Sequence, residues 1–341
     1  MPGRLAAGLV TLLATASVAA GPAAPQRLCT VGDARLAELS GLVVADQRSF
    51  WAIADSGRRT VAYRVDRTTC AVTGTRTAPI DPNDAEDLAS GPDGALWVGD
   101  IGDNERTRET VAVIVLPARG APSLHRLVYP DGPHDAEALL VDSAGRPVIV
   151  TKEGGFGTGV YRTAEPPVGE GPTPLVRVGS VTLPASDATS GPLGALGSRL
   201  VTGAATTADG KVVALRSYTD AWLYPVRDGD IAAAVTGPAV RVPLPDEPQG
   251  EAIAFGPDGT LYSSGETRGG VRGEIRAVPG AAALVGDPQA GVAPAVAPQP
   301  PAPPEQEAGP SWLPAAVGGG IAVALLVLLA IAMSVRGARR R

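Results

Sequence analysis

The sequence predicts an all-β protein: a five-bladed β-propeller with a signal peptide before it and one C-terminal transmembrane helix after it. Three observations carry this expectation. A strand–turn–strand unit repeats through the middle of the chain, an apolar run follows a single base at the N-terminus, and an uncharged aliphatic run precedes arginines at the C-terminus.

The repeat comes first. Five segments share a short polar start, an apolar strand, a tight turn and a second apolar strand. They read SGLVVADQRSFWAIAD from Ser40, EDLASGPDGALWVGDI from Glu86, EALLVDSAGRPVIVTK from Glu137, TGAATTADGKVVALRS from Thr202 and EAIAFGPDGTLYSSGE from Glu251. The pairs Asp93-Gly94, Asp209-Gly210 and Asp258-Gly259 are hairpin signals, because both residue types tolerate positive φ. The starts are spaced by 46, 51, 65 and 49 residues, and a further β-like stretch follows each pair: Thr60 to Val65, Val111 to Leu116, Gly159 to Arg162, Ala221 to Val226 and Gly273 to Val278. Units of this length with three or four strands are propeller blades, and radial repetition covers the sheet edges. The widest gap is too short for a whole extra blade, so five blades are expected; six is the alternative if one has diverged beyond recognition. The strand near Leu28 to Val31 is expected to close the ring.

The two ends set the compartment. Arg4, the apolar stretch Leu5 to Ala20 and the small residues Ala19, Ala20 and Gly21 match a signal peptide cut near Ala20. A short N-terminal anchor is the competing reading, but the run is shorter than a span needs. From Leu313 to Val335 no residue is charged, Trp312 stands where an aromatic anchor meets headgroups, and Arg336, Arg339, Arg340 and Arg341 follow. Such a run crosses a bilayer with its positive end in the cytoplasm, which leaves the body outside, in a single-pass cell-membrane protein. The expected division is therefore 1–20 signal peptide, 26–280 propeller, 281–311 Pro/Ala-rich stalk, 313–335 transmembrane helix and 336–341 basic tail. The stalk sequence APAVAPQPPAPPEQEAGP favours extended polyproline conformations. Cys29 and Cys70, the only cysteines, both lie in the exported part, where a disulfide is the simplest reading against two unrelated thiols.

Charge narrows the partners. The chain carries −6, yet five arginines sit in the terminal segments, so the remainder holds 24 bases against 35 acids, or −11. A body this acidic, with two lysines and no basic stripe, excludes nucleic acid as a partner and suits divalent cations.

Aligned by their starts, the five repeats place Ser40, Glu86, Glu137, Thr202 and Glu251 at one position. Inner strands of a propeller line its channel, so these side chains are expected to face one another. Three carboxylates there repel unless something positive lies between them. Oxygen ligands from Glu, Ser and Thr suit a hard cation, and loose coordination suits Ca²⁺ better than Mg²⁺. The alternative is that each Glu is a local cap or pairs with an Arg of a neighbouring blade. A second charged set stands where the second strand of each repeat ends: Asp55, Asp100, Lys152 with Glu153, Arg216 and Glu266. The loop DIGDNERTR adds Asp103, Asn104, Arg106 and Arg108. These are the candidate catalytic residues, since mixed charge at a channel mouth can orient and polarise a metal-chelated anion; solvated strand ends with local salt bridges are the bland alternative. No Gly-x-Ser-x-Gly elbow or phosphate-cradling loop is present, and the two histidines are His125, expected on an outer strand, and His134, three residues before Glu137.

The stretches ELSGLVV, DAEDLAS, DAEALLV, VTGAATTADGKVVALRSY and QGEAIAF resemble the blades of the calcium-activated nucleotidases (apyrases), which are secreted or membrane-anchored five-bladed propellers. The resemblance spans most of residues 36 to 256 and extends to lactonase-like and phytase- or esterase-like propellers. It implies a central calcium ringed by Ser40, Glu86, Glu137, Thr202 and Glu251, with Thr202 where the family has Ser. The function expected is calcium-dependent hydrolysis of a phosphate or ester bond at the channel mouth; the alternative is a non-catalytic module that binds a small molecule or a cell-surface ligand.

Overall fold

The inner strands of these repeats are buried on both faces along nearly their whole length and open only at their last residues, as expected of sheets packed against neighbours on either side. The computed structural model describes residues 22–153, 157–187 and 191–286. The expected signal peptide, the transmembrane helix, the basic tail and all of the stalk beyond residue 286 lie outside the described residues. Among the described residues no helix is long and apolar enough to cross a membrane.

The N-terminal strand β1 is Gln26–Thr30. Four antiparallel meanders of four strands follow. The first is β2 (Leu39–Asp46), β3 (Ser49–Ala54), β4 (Thr60–Asp66) and β5 (Val72–Ala78). The second is β6 (Ala85–Ser90), β7 (Leu96–Asp100), β8 (Val111–Leu116) and β9 (Ser123–Val128). The third is β10 (Ala136–Val141), β11 (Pro147–Thr151), β12 (Thr158–Thr163) and β13 (Thr173–Val181). The fourth is β14 (Gly203–Thr206), β15 (Val212–Arg216), β16 (Asp220–Pro225) and β17 (Val240–Pro243), with the one-turn helix α1 (Ile231–Ala234) between its last two strands. The last sheet has β18 (Gly250–Phe255), β19 (Leu261–Gly265) and β20 (Glu274–Val278), and β1 is its outer strand.

The second and third meanders join through parallel pairing of Thr173 with Leu127 and Pro174 with Val128, so they form one eight-stranded sheet. The inner strands β2, β6, β10, β14 and β18 each touch the next, and β18 returns to β2. Hydrophobic core fills each gap between successive sheets. Ile53 and Leu88 lie in the cluster between the first and second meanders, Leu139 and Val113 between the second and third, and Val150 and Val213 between the third and fourth. Leu223 and Ile253 join the fourth to the last sheet, and Phe50 and Tyr262 join the last to the first, with rings edge to face at 5.1 Å. This closed circle of face-packed sheets is a β-propeller.

Closure is by sheet pairing and by a covalent bond. β1 pairs antiparallel with β20, Thr30 opposite Glu274, as the strand near Leu28 was expected to do. The expected disulfide Cys29–Cys70 is present, and it ties β1 to the turn between β4 and β5. One boundary is corrected. Residues Ala281–Gly286, expected to open the stalk, form a 3-10 helix with Ala281 fully buried, because Ala282, Leu284 and Val285 pack on the core of the last sheet. The folded body therefore continues to Gly286.

Candidate functional site

Four of the five inner strands break register at their starts. The pairing shifts between Leu39 and Gly41, Ala85 and Asp87, Ala136 and Ala138, and Gly250 and Ala252. The residues inside these bulges are Ser40, Glu86, Glu137 and Glu251, four of the five residues singled out by the repeat alignment. A bulge re-aims the extra side chain, which is how these four turn toward the channel and not along the sheet face. Thr202 immediately precedes β14.

The three glutamates converge. Glu86, Glu137 and Glu251 are only 5%, 4% and 3% exposed; Glu86 feels the charge of both Glu137 and Glu251, and Glu251 that of Glu137. Burial, then Glu137, Asp84 and Glu251, hold the Glu86 carboxyl well above the usual range. Burial, then Glu137 and Glu266, do the same to Glu251. Glu137 is pushed up to about 7 by burial, against the pull of Lys152, whose ammonium lies on Glu137 Oε1. Burial alone would lower the Lys152 pKa, but Glu137 and Tyr218 raise it, and the ammonium also sits 5.3 Å from the Tyr218 ring centroid. Lys152 is thus a built-in counter-charge at this end of the channel. Glu137 Oε2 and Glu251 Oε2 are buried with no hydrogen-bond partner.

Outside this trio the acidic mouth widens. Asp84 faces Glu86, and a Cβ on Gly102 would fall 2.4 Å from both Asp84 Oδ2 and Glu86 Oε1, so a larger residue there would push the two carboxylates out of place. Glu266 faces Glu251. Asp55 meets Glu266, Glu38 and Asp84, and burial together with those three charges pushes its carboxyl up to about 7; its Oδ1 has no partner. Among the described residues no three His, Cys, Asp or Glu side chains stand, as placed, in an arrangement that could hold a metal ion. Ser40 Oγ donates to the Glu86 carbonyl, and Thr202 Oγ1 donates to the Gly250 carbonyl at 2.9 Å, so each hydroxyl also staples its inner strand to the next.

Part of the expected catalytic set is structural. Arg216 does not open to the mouth. It is fully buried, bonded to Glu247 Oε2 at 2.9 Å and to the carbonyls of Ser217, Ala252 and Ser264, because a charge at that depth needs every donor satisfied. Asp100 Oδ1 accepts from the Asn83 and Asp84 amides and from Arg108, which also caps the Gly102 and Asp100 carbonyls. Asp103 holds its own loop through the amides of Thr107 and Arg108. Glu153 turns away from Lys152 to His134, whose Nδ1 lies 2.6 Å from Glu153 Oε1 and whose Nε2 lies 3.0 Å from Asp131 Oδ1. His125 is on the outer strand β9, as expected. Asp55, Lys152 and Glu266 remain at the mouth.

Several contributors were missed. Asp84 and Asp135 stand two residues before Glu86 and Glu137, and the repeated Asp-Ala-Glu triplet was the available signal. Asp87 is fully buried at the position where the other repeats carry Gly41, Ala138, Gly203 and Ala252. Its Oδ1 accepts from Leu88 N at 2.8 Å, and its Oδ2 accepts from Leu139 N at 2.8 Å and Ala204 N at 3.1 Å. One carboxylate therefore gathers three inner strands just beyond the glutamates. On the far side of this waist the channel opens into a cavity of about 660 Å³ lined by Leu42, Leu88, Leu139 and Phe255 among others.

No family model matches this chain, and no curated protein matches it in sequence. Among solved structures it is similar to a gluconolactonase from Xanthomonas campestris, at 17% identity over 78% of this chain and 89% of that one, with a TM-score of 0.43. A putative gluconolactonase matches at 14% identity over 76% and 93%, TM-score 0.39. Virginiamycin B lyase from Staphylococcus aureus, in a structure with quinupristin, matches at 11% identity over 70% and 66%, TM-score 0.36.

Proposed function

We propose that this chain is a membrane-tethered, extracellular, five-bladed propeller that holds one calcium ion between Glu86, Glu137 and Glu251 and hydrolyses a phosphate or ester bond at that end of the channel. The observation that carries the reading is the convergence of three buried carboxyl groups on bulged inner strands, two of them with an oxygen that no protein group satisfies. Buried unpaired acceptors are costly, and a hard cation is the partner that satisfies them all. The donor set fits. Glu86, Glu137 and Glu251 would hold the ion, and Ser40 and Thr202 give their protons to carbonyls and keep lone pairs for a cation.

A bound calcium ion supplies polarisation of a phosphoryl or ester oxygen. The chain's own groups supply the rest. Lys152 presents a fixed positive charge beside Glu137, suited to an anionic oxygen. Asp55, raised to about 7 by burial and neighbouring acids, can hold or release a proton near neutral pH at its unpartnered Oδ1. The structural roles of Arg216, Asp100 and Asp103 leave a small catalytic set, and that favours a second reading, a cation-dependent binding module without turnover.

Melting curves test the cation site. A hundredfold excess of calcium over its dissociation constant stabilises by about 2.7 kcal/mol, so chelation lowers Tm and Ca²⁺ restores it better than Mg²⁺. Glu137→Gln weakens this response and the exposed control Glu170→Gln does not. Identical melting in calcium and in chelator, with no ion between the three carboxylates in a crystal grown in calcium, sinks the reading. Turnover of phosphate esters or lactones that disappears with chelator separates the hydrolase from the binding module.

A further inference from the structure

We propose that the cleft between the first and second meanders is a binding site for a small amphiphilic anion, a single apolar ring or short chain bearing a carboxylate or phosphate. A cavity of about 310 Å³ opens there, at the lower end of the range for small-molecule sites and enough for one ring and a headgroup. Ile53 and Tyr63 contribute from the first meander, Ala85 and Val98 from the second, and the β3–β4 loop adds Arg58 and Arg59. Those two arginines are the only charged residues among the lining, in a body that otherwise carries a large acidic excess.

Both arginines are exposed, and among the described residues neither side chain makes a hydrogen bond, ion pair or ring contact. That sets them apart from Arg64, Arg108, Arg216, Arg241 and Arg276, each of which is tied to an acid. Two free guanidinium groups over an apolar floor match a planar oxyanion by bidentate hydrogen bonds, while the floor takes its apolar body.

Position adds to this. Ala54, Ser56 and Ala85 line the cavity, and their chain neighbours Asp55 and Asp84 belong to the acidic mouth. An anion held by Arg58 and Arg59 therefore lies beside the proposed cation site, and its role as a substrate subsite rests on that reading. Binding of the anion does not, because no acid lines the cavity.

Isothermal titration calorimetry on the purified full chain provides the test, with phenyl phosphate, benzoate and neutral benzyl alcohol as probes. At least one anion is expected to bind, with benzyl alcohol at least tenfold weaker, and the stronger anion identifies the headgroup. Arg58→Ala with Arg59→Ala weakens the anion at least tenfold, Arg58→Lys with Arg59→Lys recovers part of it, and Lys211→Ala on a distant hairpin changes nothing. The same titrations in chelator keep the two sites apart: anion binding that persists without calcium supports this site whatever becomes of the calcium reading. The proposal is overturned if neither anion gives a heat of binding, if benzyl alcohol binds as well as the anions, or if the doubly alanine-substituted chain binds as the wild type does.

Discussion

The Asp87 carboxylate accepts the backbone N–H of Ala204 at 3.1 Å, across 117 residues and two meanders. The same oxygen accepts from Leu139, and its partner oxygen from Leu88, so three inner strands hang on one side chain. Burial pushes the Asp87 carboxyl up to about 7, and the three amides pull against that shift.

Asp87→Asn keeps the shape and removes acceptor capacity. The new amide must turn its NH₂ group toward at least one backbone N–H, which leaves a buried donor unsatisfied. A loss of about 1–3 kcal/mol is expected, read as a lower denaturant midpoint with an unchanged slope. Wild-type stability in the variant means the waist is not held by this carboxylate.

Lys152→Met takes the ammonium from Glu137 and leaves a buried carboxylate without its counter-charge. In chelator the variant is expected to lose about 3 kcal/mol at pH 7, the usual consequence of breaking a buried pair. If calcium binds where we propose, it should return a larger share of that loss than it adds to the wild type, because the ion would then meet Glu137 without competition. Equal calcium responses in the two proteins argue that Lys152 and the cation act at separate places.

Asp55, with the other buried carboxyls held high, contributes to an expected pH dependence. Its folded pKa, about 7, lies above the ordinary carboxylate value, so the folded state binds the extra proton. The stability this confers is complete below about pH 4 and is lost as pH rises through about 7. In chelator, Tm should therefore fall between pH 5 and pH 8, and Asp55→Asn should shallow that fall. A variant with the wild-type profile assigns the pH dependence to other groups.

Thiol titration checks the disulfide. Denatured, non-reduced protein should contain no free thiol, since Cys29 and Cys70 are the only cysteines and are bonded. Reduction opens a closure spanning 41 residues, expected to cost about 4 kcal/mol in the chain-entropy model. Because β1 is the outer strand of the last sheet, proteolysis near the N-terminus should accelerate on reduction.

Much of the site was legible because a repeated strand start is a positional code. Aligning the repeats picked out Glu86, Glu137 and Glu251 before any fold was known, and the structure places all three on bulges around one channel. The same alignment misjudged Arg216. It sits at an equivalent strand end, but Glu247 and three carbonyls lie within its reach, and only packing against the last sheet brings them there. Asp87 was passed over because a single acid among Gly41, Ala138, Gly203 and Ala252 breaks the pattern and does not extend it.

What the sequence determined by itself is local and periodic: strand–turn–strand units, the hairpins at Asp-Gly pairs, and the residue types offered at each strand start. Those follow from backbone preference and side-chain alternation, which act between near neighbours and repeat faithfully. Tertiary structure alone decided which offered groups meet. Lys152 finds Glu137 and Tyr218, Asp87 finds Leu139 and Ala204, and Arg58 and Arg59 are left over a cleft without a partner. Closing the circle of sheets brings groups from distant repeats within hydrogen-bonding range in a poorly solvated channel. There each charge is set by its neighbours across the ring, and strand spacing carries no record of them.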